Sequence, residues 1–384
     1  VSDDVMVVGV GMTRCEQTDA TLEDLGQFAV KAAMRDAGLE RGDIEAAICG
    51  SFGGHPGLGV RLFRDLGMLG DSMAVVNVEN GCGGGGTAFR EAYAWVKAGL
   101  AEVVIAVGVE KMTHGLIDVG PVDYTWRSGF STPVMAAHMA RTHMAKYGTT
   151  VEQFAKVAVK NRHNGSLNPN AHLRKAITMD TVLSDRVLAD PITRSMSCPT
   201  TDAGAAAILT SSAFAKRIGA RAVKVLGSGM VSGRTGTRAD SDDIQDFGSG
   251  AARKAYEAAG LGPEDIDVAE VHEPFAPFEI FCYEWMGFCE PGEGGRYIDE
   301  GRAAINGSGV AVNPSGGLMA RGHPLGASGM AQIHEAVTQL RGEAGDRQVE
   351  KARIALCHNA GGSTPQTMPN AAIVNILAAA DRSA

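Results

Sequence analysis

Cysteine and histidine stand beside glycine turns at four places in this chain, and these pairings are where chemistry is sought first. In "NVENGCGGGGTAFREAYAWVKAGL" (residues 77–100), Cys82 lies between a short apolar run and four glycines, ahead of an amphipathic helix-like segment. A cysteine where a strand turns into a helix has its sulfur at the helix N-terminus, where the dipole and free N–H groups favour a thiolate. The glycines, Gly83 and Gly84 first, either let a helix end pack tightly or clear room for a bulky thioester and offer N–H groups to an oxyanion. In "NPSGGLMARGHPLGASGM" (residues 313–330), His323 stands in a glycine-rich turn directly before a proline, suited to a base that deprotonates a thiol. In "EVHEPFAPFEIFCYEWMGF" (residues 270–288), His272 ends a strand-like run ahead of an aromatic-rich helix and can donate to a developing oxyanion. Its neighbour Glu273 reads as a charged partner or an ordinary helix-start acid. In "ALCHNAGGSTP" (residues 355–365), Cys357, His358 and Asn359 precede a turn at Gly361 and Gly362, and Cys357 is a candidate acid/base thiol. None of these residues shows the short paired spacing of a structural zinc site, so no metal is expected.

The elements that must position these groups alternate between strand-like and helix-like patterns. "AVKAAMRDAGLERGDIEAAICG" from Ala29 and "AARKAYEAAGLGPEDIDVAEVH" from Ala251 match at a constant offset of 222, with Ala33, Gly38, Leu39, Asp43 and Ile44 recurring as Ala255, Gly260, Leu261, Asp265 and Ile266. Both read as helix, glycine cap, polar turn and buried strand. The glycine turns at Cys82 and at residues 322–342 form a second pair, so the chain reads as a duplication. Strands are expected at 5–10, 73–78, 102–109, 205–211, 223–230, 267–272, 353–358 and 371–377. With helices between them they predict a layered α/β fold. Residues 111–200 break this rhythm and read as a loop or cap over one half. Within them Tyr124, Trp126 and Phe130 either line a site for a bulky group or pack the cap. The expected division is 1–110 plus 201–218 for the N-terminal half, 111–200 for the cap and 219–384 for the C-terminal half.

Composition narrows the function classes. With 384 residues the chain can build two core-bearing halves, and its 45% apolar and 21% charged residues suit a globular protein. A formal charge of −9 offers no basic patch for nucleic acid. No apolar run nears the ~20 residues needed to cross a bilayer, and the N-terminus lacks a signal-peptide profile. Seven cysteines without a CxxC pair suit a reducing cytoplasm, the expected compartment.

Taken in order, Cys82 in "NGCGGG", Asp202 in "CPTTDAGAAAIL", His272 in "VHEPF", His323 in "GGLMARGHPLGASG" and the glycine turn after Cys357 resemble the successive signatures of the thiolase superfamily. "HEPF", in place of an NEAF motif, and the insertion "KNRHNGSLNPNAH" (160–172) resemble the sterol-carrier-protein-type, or lipid-transfer-type, branch. The resemblance spans residues 5 to 377. It implies a duplicated αβαβα thiolase fold, a homodimer, and coenzyme A as co-substrate with no tightly bound cofactor. It makes Cys82 the acyl-accepting nucleophile, His323 its base and His272 a binder of the thioester oxygen. Gly83, Gly84, Asn359, Gly361 and Gly362 fall in the substrate and oxyanion region, and Asp202 is structural. Pro274 stands where that branch carries a second cysteine, so the second thiol is Cys357, or Cys357 is incidental beside an HN pair. The activity implied is acyl-CoA C-acyl transfer on a 3-oxoacyl-CoA with a branched, aromatic or steroid-type acyl group. A retro-aldolase of the same fold and a non-catalytic acyl-binding subunit are the rivals, though intact "NGC" and "GHP" argue against the aldolase. A small OB-fold, zinc-ribbon partner protein also follows from the resemblance.

Overall fold

The computed structural model describes residues 4–70, 73–113, 131–233, 246–362, 369 and 371–380. The expected repeat is built twice by the same local physics. In the first copy, Thr21 caps the helix Leu22–Ala37 in a box with Asp24, and Gly38 ends it at φ 66. A single turn, Arg41–Asp43, follows, in which the Asp43 carboxylate accepts the Glu40 N–H at 2.8 Å. In the second copy the helix Ser249–Ala259 ends at Gly260 with φ 69, and Asp265 accepts the Gly262 N–H at 2.8 Å. The matched glycines supply the left-handed residue that stops each helix, and the matched aspartates shape the turn into the next strand.

The strands are β1 (Val5–Met12), β2 (Ala46–Gly50), β3 (Ala74–Val78), β4 (Val103–Glu110), β5 (Val187–Ala189), β6 (Ile192–Thr193), β7 (Ala203–Ser211), β8 (Val223–Val231), β9 (Val268–Glu270), β10 (Ala311–Val312), β11 (Ile354–Gly361) and β12 (Ala371–Ala379). Ten of them form one mixed sheet in the order β10-β9-β11-β12-β8-β1-β7-β4-β2-β3. Read outward from the β8–β1 junction, each half runs through its first, fifth, fourth, second and third strand. The sheet therefore carries the duplication in its topology. The β5–β6 hairpin and the two-residue β10 escape the sequence reading, because strands so short show no alternation.

Alternation along the strands sorts side chains into layers. Val103, Ile105 and Val107 of β4 pack outward with the helix Leu22–Ala37. Val104 and Ala106 face inward, toward Ala88, Phe89 and Ala92 of the helix Gly84–Lys97 and Ile333, Ala336 and Val337 of the helix Ser328–Leu340. In the second half Leu356 and Ala360 of β11 face Ala251 and Ala255 of the outer helix, while Ala355 and Cys357 face the central pair. The result is helix, sheet, central helices, sheet, helix: the expected αβαβα arrangement. Each large apolar side chain buried there contributes about 1.5–3 kcal/mol.

Of the 111–200 region, the described residues 131–200 pack chiefly over the second half, while Asn170 also meets Cys15 of the first. Its helix Val151–Ser166 lies on the helices Ala276–Trp285, Gly294–Asp299 and Gly317–Ala320. The asparagines of the "KNRHNGSLNPN" stretch make the joint. Asn161 donates to Glu279 at 2.7 Å, Asn164 to the Asn313 carbonyl at 3.0 Å and Asn168 to the Ser315 carbonyl at 2.9 Å. These bonds brace the loop that leads to His323. Tyr124, Trp126 and Phe130 lie outside the described residues. Among the described residues no helix is long and apolar enough to cross a membrane.

Candidate active site

Cys82 sits between β3 and the central helix Gly84–Lys97, as its sequence context suggests. The glycines around it answer to packing. Gly81 adopts φ 56 with its Cα side so near the second half that a Cβ would lie 2.5 Å from the Gly362 nitrogen. A Cβ on Gly361 would come within 2.2 Å of the Gly83 nitrogen. These close approaches let the two halves touch backbone to backbone at the Cys82 turn. The N–H groups of Gly83 and Gly84 are also committed, to the carbonyls of Asn80 (2.9 Å) and Gly81 (3.1 Å). The donors aimed at the sulfur are instead the N–H groups of Cys82 itself and of Gly362.

The helix terminus does not hold Cys82 as a resting thiolate. Burial pushes this thiol up to about 12, with the Glu110 carboxylate adding to the effect, and the two N–H groups offset only part of it. For such a thiol to attack, a partner has to take its proton, and the surroundings of His323 suit it to accept one. Its Nδ1 lies 2.7 Å from the Ser328 hydroxyl, which itself donates to the Pro324 carbonyl at 3.0 Å. A hydroxyl has one proton to give, so Nδ1 carries the hydrogen and Nε2 keeps its lone pair. Burial, then the Arg321 guanidinium, lower the His323 pKa to about 3, so the ring is neutral and basic at Nε2.

His272 has the opposite tautomer. The Asn359 amide is oriented by the Gly86 N–H, which donates to Oδ1 at 3.0 Å. Its Nδ2 then donates to the Cys82 carbonyl at 3.1 Å and to His272 Nδ1 at 3.2 Å. His272 Nδ1 is therefore an acceptor and Nε2 carries the proton. Burial, then the charges of His323, His358 and Arg321, hold this ring neutral as well. The His272 and His323 rings stand edge to face, 5.0 Å apart. One ligand-type atom from each of Cys82, His272 and His323 lies within 4.8 Å of the others. Such a trio can be weighed as a metal site, but the protonated Nε2 of His272 has no lone pair to give. The set reads as nucleophile, base and hydrogen-bond donor.

Not every candidate joins this trio. Cys357 is 2% exposed, in the apolar layer with Ala355 and Leu377, and its charged neighbours are Glu270, Arg321 and Glu335. Strand alternation leaves it two residues short of Asn359, on the side of β11 that meets the central helices. His358 points to the other face, with Nε2 donating to the Phe247 carbonyl at 3.0 Å and Nδ1 3.6 Å from Cys282. Glu273 is fully buried and accepts the Leu318 N–H at 2.5 Å. Asp202 is also fully buried, accepting the N–H groups of Met112 (2.6 Å), Thr113 (2.8 Å) and Thr18 (3.1 Å).

Three supports escaped the sequence reading. Ser328 sets the His323 tautomer, as Asn359, already expected in the oxyanion region, sets that of His272, and nothing in a single sequence reports a tautomer. Glu110, which ends the apolar run "VVIAVGVE", accepts N–H groups from Phe52 (2.8 Å), Gly53 (3.0 Å) and Gly326 (3.0 Å). It thereby ties the His323 turn to the first half. An acid closing an otherwise apolar strand was the available signal. The third is the buried pair Arg321–Glu270, at 2.8 Å, whose guanidinium opposes a proton on both histidines.

Comparison with known proteins gives the family. Family models match as "Thiolase, N-terminal domain" over residues 5–213 and "Thiolase C-terminal domain-like" over 232–374. Acetyl-CoA acetyltransferase of Methanothermobacter thermautotrophicus is 41% identical over 376 residues, 94% of this chain and 97% of that protein. Human sterol carrier protein 2 is 38% identical over 383 residues, 93% of this chain and 70% of that protein. The benzoylsuccinyl-CoA thiolase subunit BbsB of Thauera aromatica is 34% identical over 367 residues, 93% of this chain and 94% of that protein. Among solved structures, an Ltp2-ChsH2(DUF35) aldolase superposes with TM-score 0.85 at 25% identity, covering all of both chains. Human mitochondrial 3-ketoacyl-CoA thiolase in complex with CoA superposes with TM-score 0.73 at 20% identity, covering 99% of this chain and 98% of that one, a likeness of fold. Both family domains, in order along nearly the whole chain, and relatives at this identity lead to one conclusion: the chain belongs to the thiolase family, in its sterol-carrier-protein-like branch, and is an acyltransferase.

Proposed function

We propose that the chain is a thiolase-type acyl-CoA C-acyltransferase that cleaves, or forms by Claisen condensation, a 3-oxoacyl-CoA through an acyl-enzyme on Cys82. The observation that carries this reading is the convergence of a neutral thiol, an imidazole with a free Nε2 and an imidazole with a protonated Nε2 within 4.8 Å. In the cleavage direction His323 Nε2 takes the Cys82 proton and the sulfur attacks the keto carbonyl. The N–H groups of Cys82 and Gly362, aimed at the sulfur, are the donors offered to the alkoxide that forms beside it. The carbon–carbon bond then breaks, and the His272 Nε2–H steadies the enolate oxygen of the departing thioester. CoA, the co-substrate, releases the acyl group from Cys82. The acyl group is of branched, aromatic or steroid type, a range that includes the benzoylsuccinyl-CoA of one relative's name.

The aldolase neighbour supplies a second reading, retro-aldol cleavage of a hydroxyacyl-CoA, which needs no acyl-enzyme. Intact-protein mass spectrometry after incubation with acyl-CoA separates the two. An acyl adduct on the wild type, absent from Cys82→Ala, supports acyl transfer. An active Cys82→Ala chain moves the assignment to the aldolase class.

The assembly proposed is a cytoplasmic homodimer, supported by β3, which ends the sheet with one edge unpaired among the described residues. A small OB-fold, zinc-ribbon partner protein is supported by the DUF35 component named in the aldolase neighbour. Native mass spectrometry of co-expressed proteins tests both.

A further inference from the structure

The carbon–carbon step needs a group that exchanges a proton with the substrate's α-carbon, and the converged trio has none to spare. During that step Cys82 holds the acyl group, His323 holds the Cys82 proton, and His272 presents its N–H to oxygen. Cys357 faces the central helices, and Pro274 has no proton to exchange. Of the cysteines, Cys15, Cys49, Cys282 and Cys357 are buried, whereas Cys82, Cys198 and Cys289 are partly exposed. Cys289 lies among Glu284, Glu293 and Arg302, away from the trio.

The segment that carries Cys198 lies against both histidine loops, Cys198 itself against the one that begins at His272. Its N–H donates to the Pro274 carbonyl at 2.9 Å, and Ser197 bridges Phe275 in antiparallel fashion. This segment is therefore laid along the loop that begins at His272. Three residues further on, Thr201 presses on Gly322, the residue before His323, so closely that a Cβ there would lie 2.6 Å from the Thr201 methyl. The stretch from Ser197 to Thr201 thus spans from one histidine loop to the other, with Cys198 within it.

We infer that Cys198 is the second thiol of the site and carries the substrate's α-proton. The inference rests on the acyl-transfer reading above. Burial first, then the charges of Cys82 and Glu273, push the Cys198 thiol up to about 12, so the two sulfurs sense each other and Cys198 waits as a neutral acid. In cleavage, the electron pair of the broken carbon–carbon bond passes to the enolate, whose α-carbon takes the Cys198 proton and leaves a Cys198 thiolate. The CoA thiol returns that proton as its sulfur attacks the acyl carbonyl. The expelled Cys82 sulfur recovers its own proton from His323. Every group ends as it began, with no external acid, base or oxidant.

The test reads the two half-reactions separately on the full chain, with acetyl-CoA as probe. Acetylation of Cys82 is followed by intact-protein mass spectrometry, and exchange of the acetyl hydrogens in D2O by mass spectrometry of the thioester. Cys198→Ser should acetylate within about threefold of wild type while α-exchange falls roughly 10²–10⁴-fold, the usual contribution of a positioned acid/base. Cys198→Ala serves in the same way if the serine variant does not fold. Exchange at wild-type rate in either variant overturns the inference, and so do equal losses in both half-reactions. Loss of exchange in Cys282→Ser, with Cys198→Ser unaffected, overturns it in favour of that buried thiol. A wild-type chain that exchanges the hydrogens but forms no acyl-enzyme defeats the acyl-transfer reading alone. Cys198 is then judged on exchange. A wild type that does neither defeats both.

Discussion

Ser328→Ala removes one hydroxyl and nothing that touches substrate. It sits at the start of the helix Ser328–Leu340, where alanine is a favourable residue, so the backbone is undisturbed. What is lost is the acceptor, 2.7 Å away, that holds the hydrogen on His323 Nδ1. In the variant the active tautomer must bury an unpaired Nδ1–H, at a cost of about 1–3 kcal/mol. The alternative tautomer, with its hydrogen on Nε2, avoids that cost but points a proton at Cys82 where a lone pair is needed. At about 1.4 kcal/mol per factor of ten, the competent population falls roughly 5- to 150-fold. The acylation rate of Cys82, measured by rapid quench and intact mass, should fall by the same factor. The Pro324 carbonyl also loses its donor, so the denaturation midpoint should drop modestly. An acylation rate within twofold of wild type would refute the tautomer argument, because no other described hydrogen bond fixes the His323 ring.

His323→Ala, which removes the base itself, should slow acylation by roughly 10²–10⁴ and slow iodoacetamide labelling of Cys82 in parallel. Unchanged labelling would show that another group takes the proton. Cys357→Ser should keep both half-reactions in wild-type ratio while losing about 1–3 kcal/mol of stability in a denaturant titration, since it buries a hydroxyl in an apolar layer. Selective loss of the carbon–carbon step in that variant would restore Cys357 as the second thiol. In His323→Ala, which lacks the internal base, labelling must use the free thiolate; the Cys82 thiol is raised to about 12, so labelling should climb about tenfold per unit from pH 7 to 9. A plateau below pH 8 in that variant would mean that burial does not raise the thiol. His323, lowered to about 3, stays unprotonated as pH falls from 7 to 5, so acylation should show no inflection near pH 6.5.

The sequence by itself determined the architecture, because the fold was written twice in local code. Gly38 and Gly260 stop equivalent helices, and Asp43 and Asp265 shape equivalent turns, each through bonds to residues three or four positions away. Apolar alternation then named most strands, and the same short-range patterns picked out Cys82, His272 and His323. The meaning of those residues waited for the tertiary structure. Cys357 and Asn359 point to the same face of β11, toward the central helices, yet only Asn359, one step nearer the strand's end, reaches the site; Cys357 stays in the apolar layer. That the turn at Cys82 needs glycine for close packing shows only once Gly361 and Gly362, from the far end of the chain, are seen against Gly83 and Gly81. Tautomers depend on which partner reaches a ring nitrogen, and no sequence pattern pairs Asn359 with His272 or Ser328 with His323. The charge state of Cys82 was likewise decided by burial, which outweighs the helix terminus that the local sequence made visible.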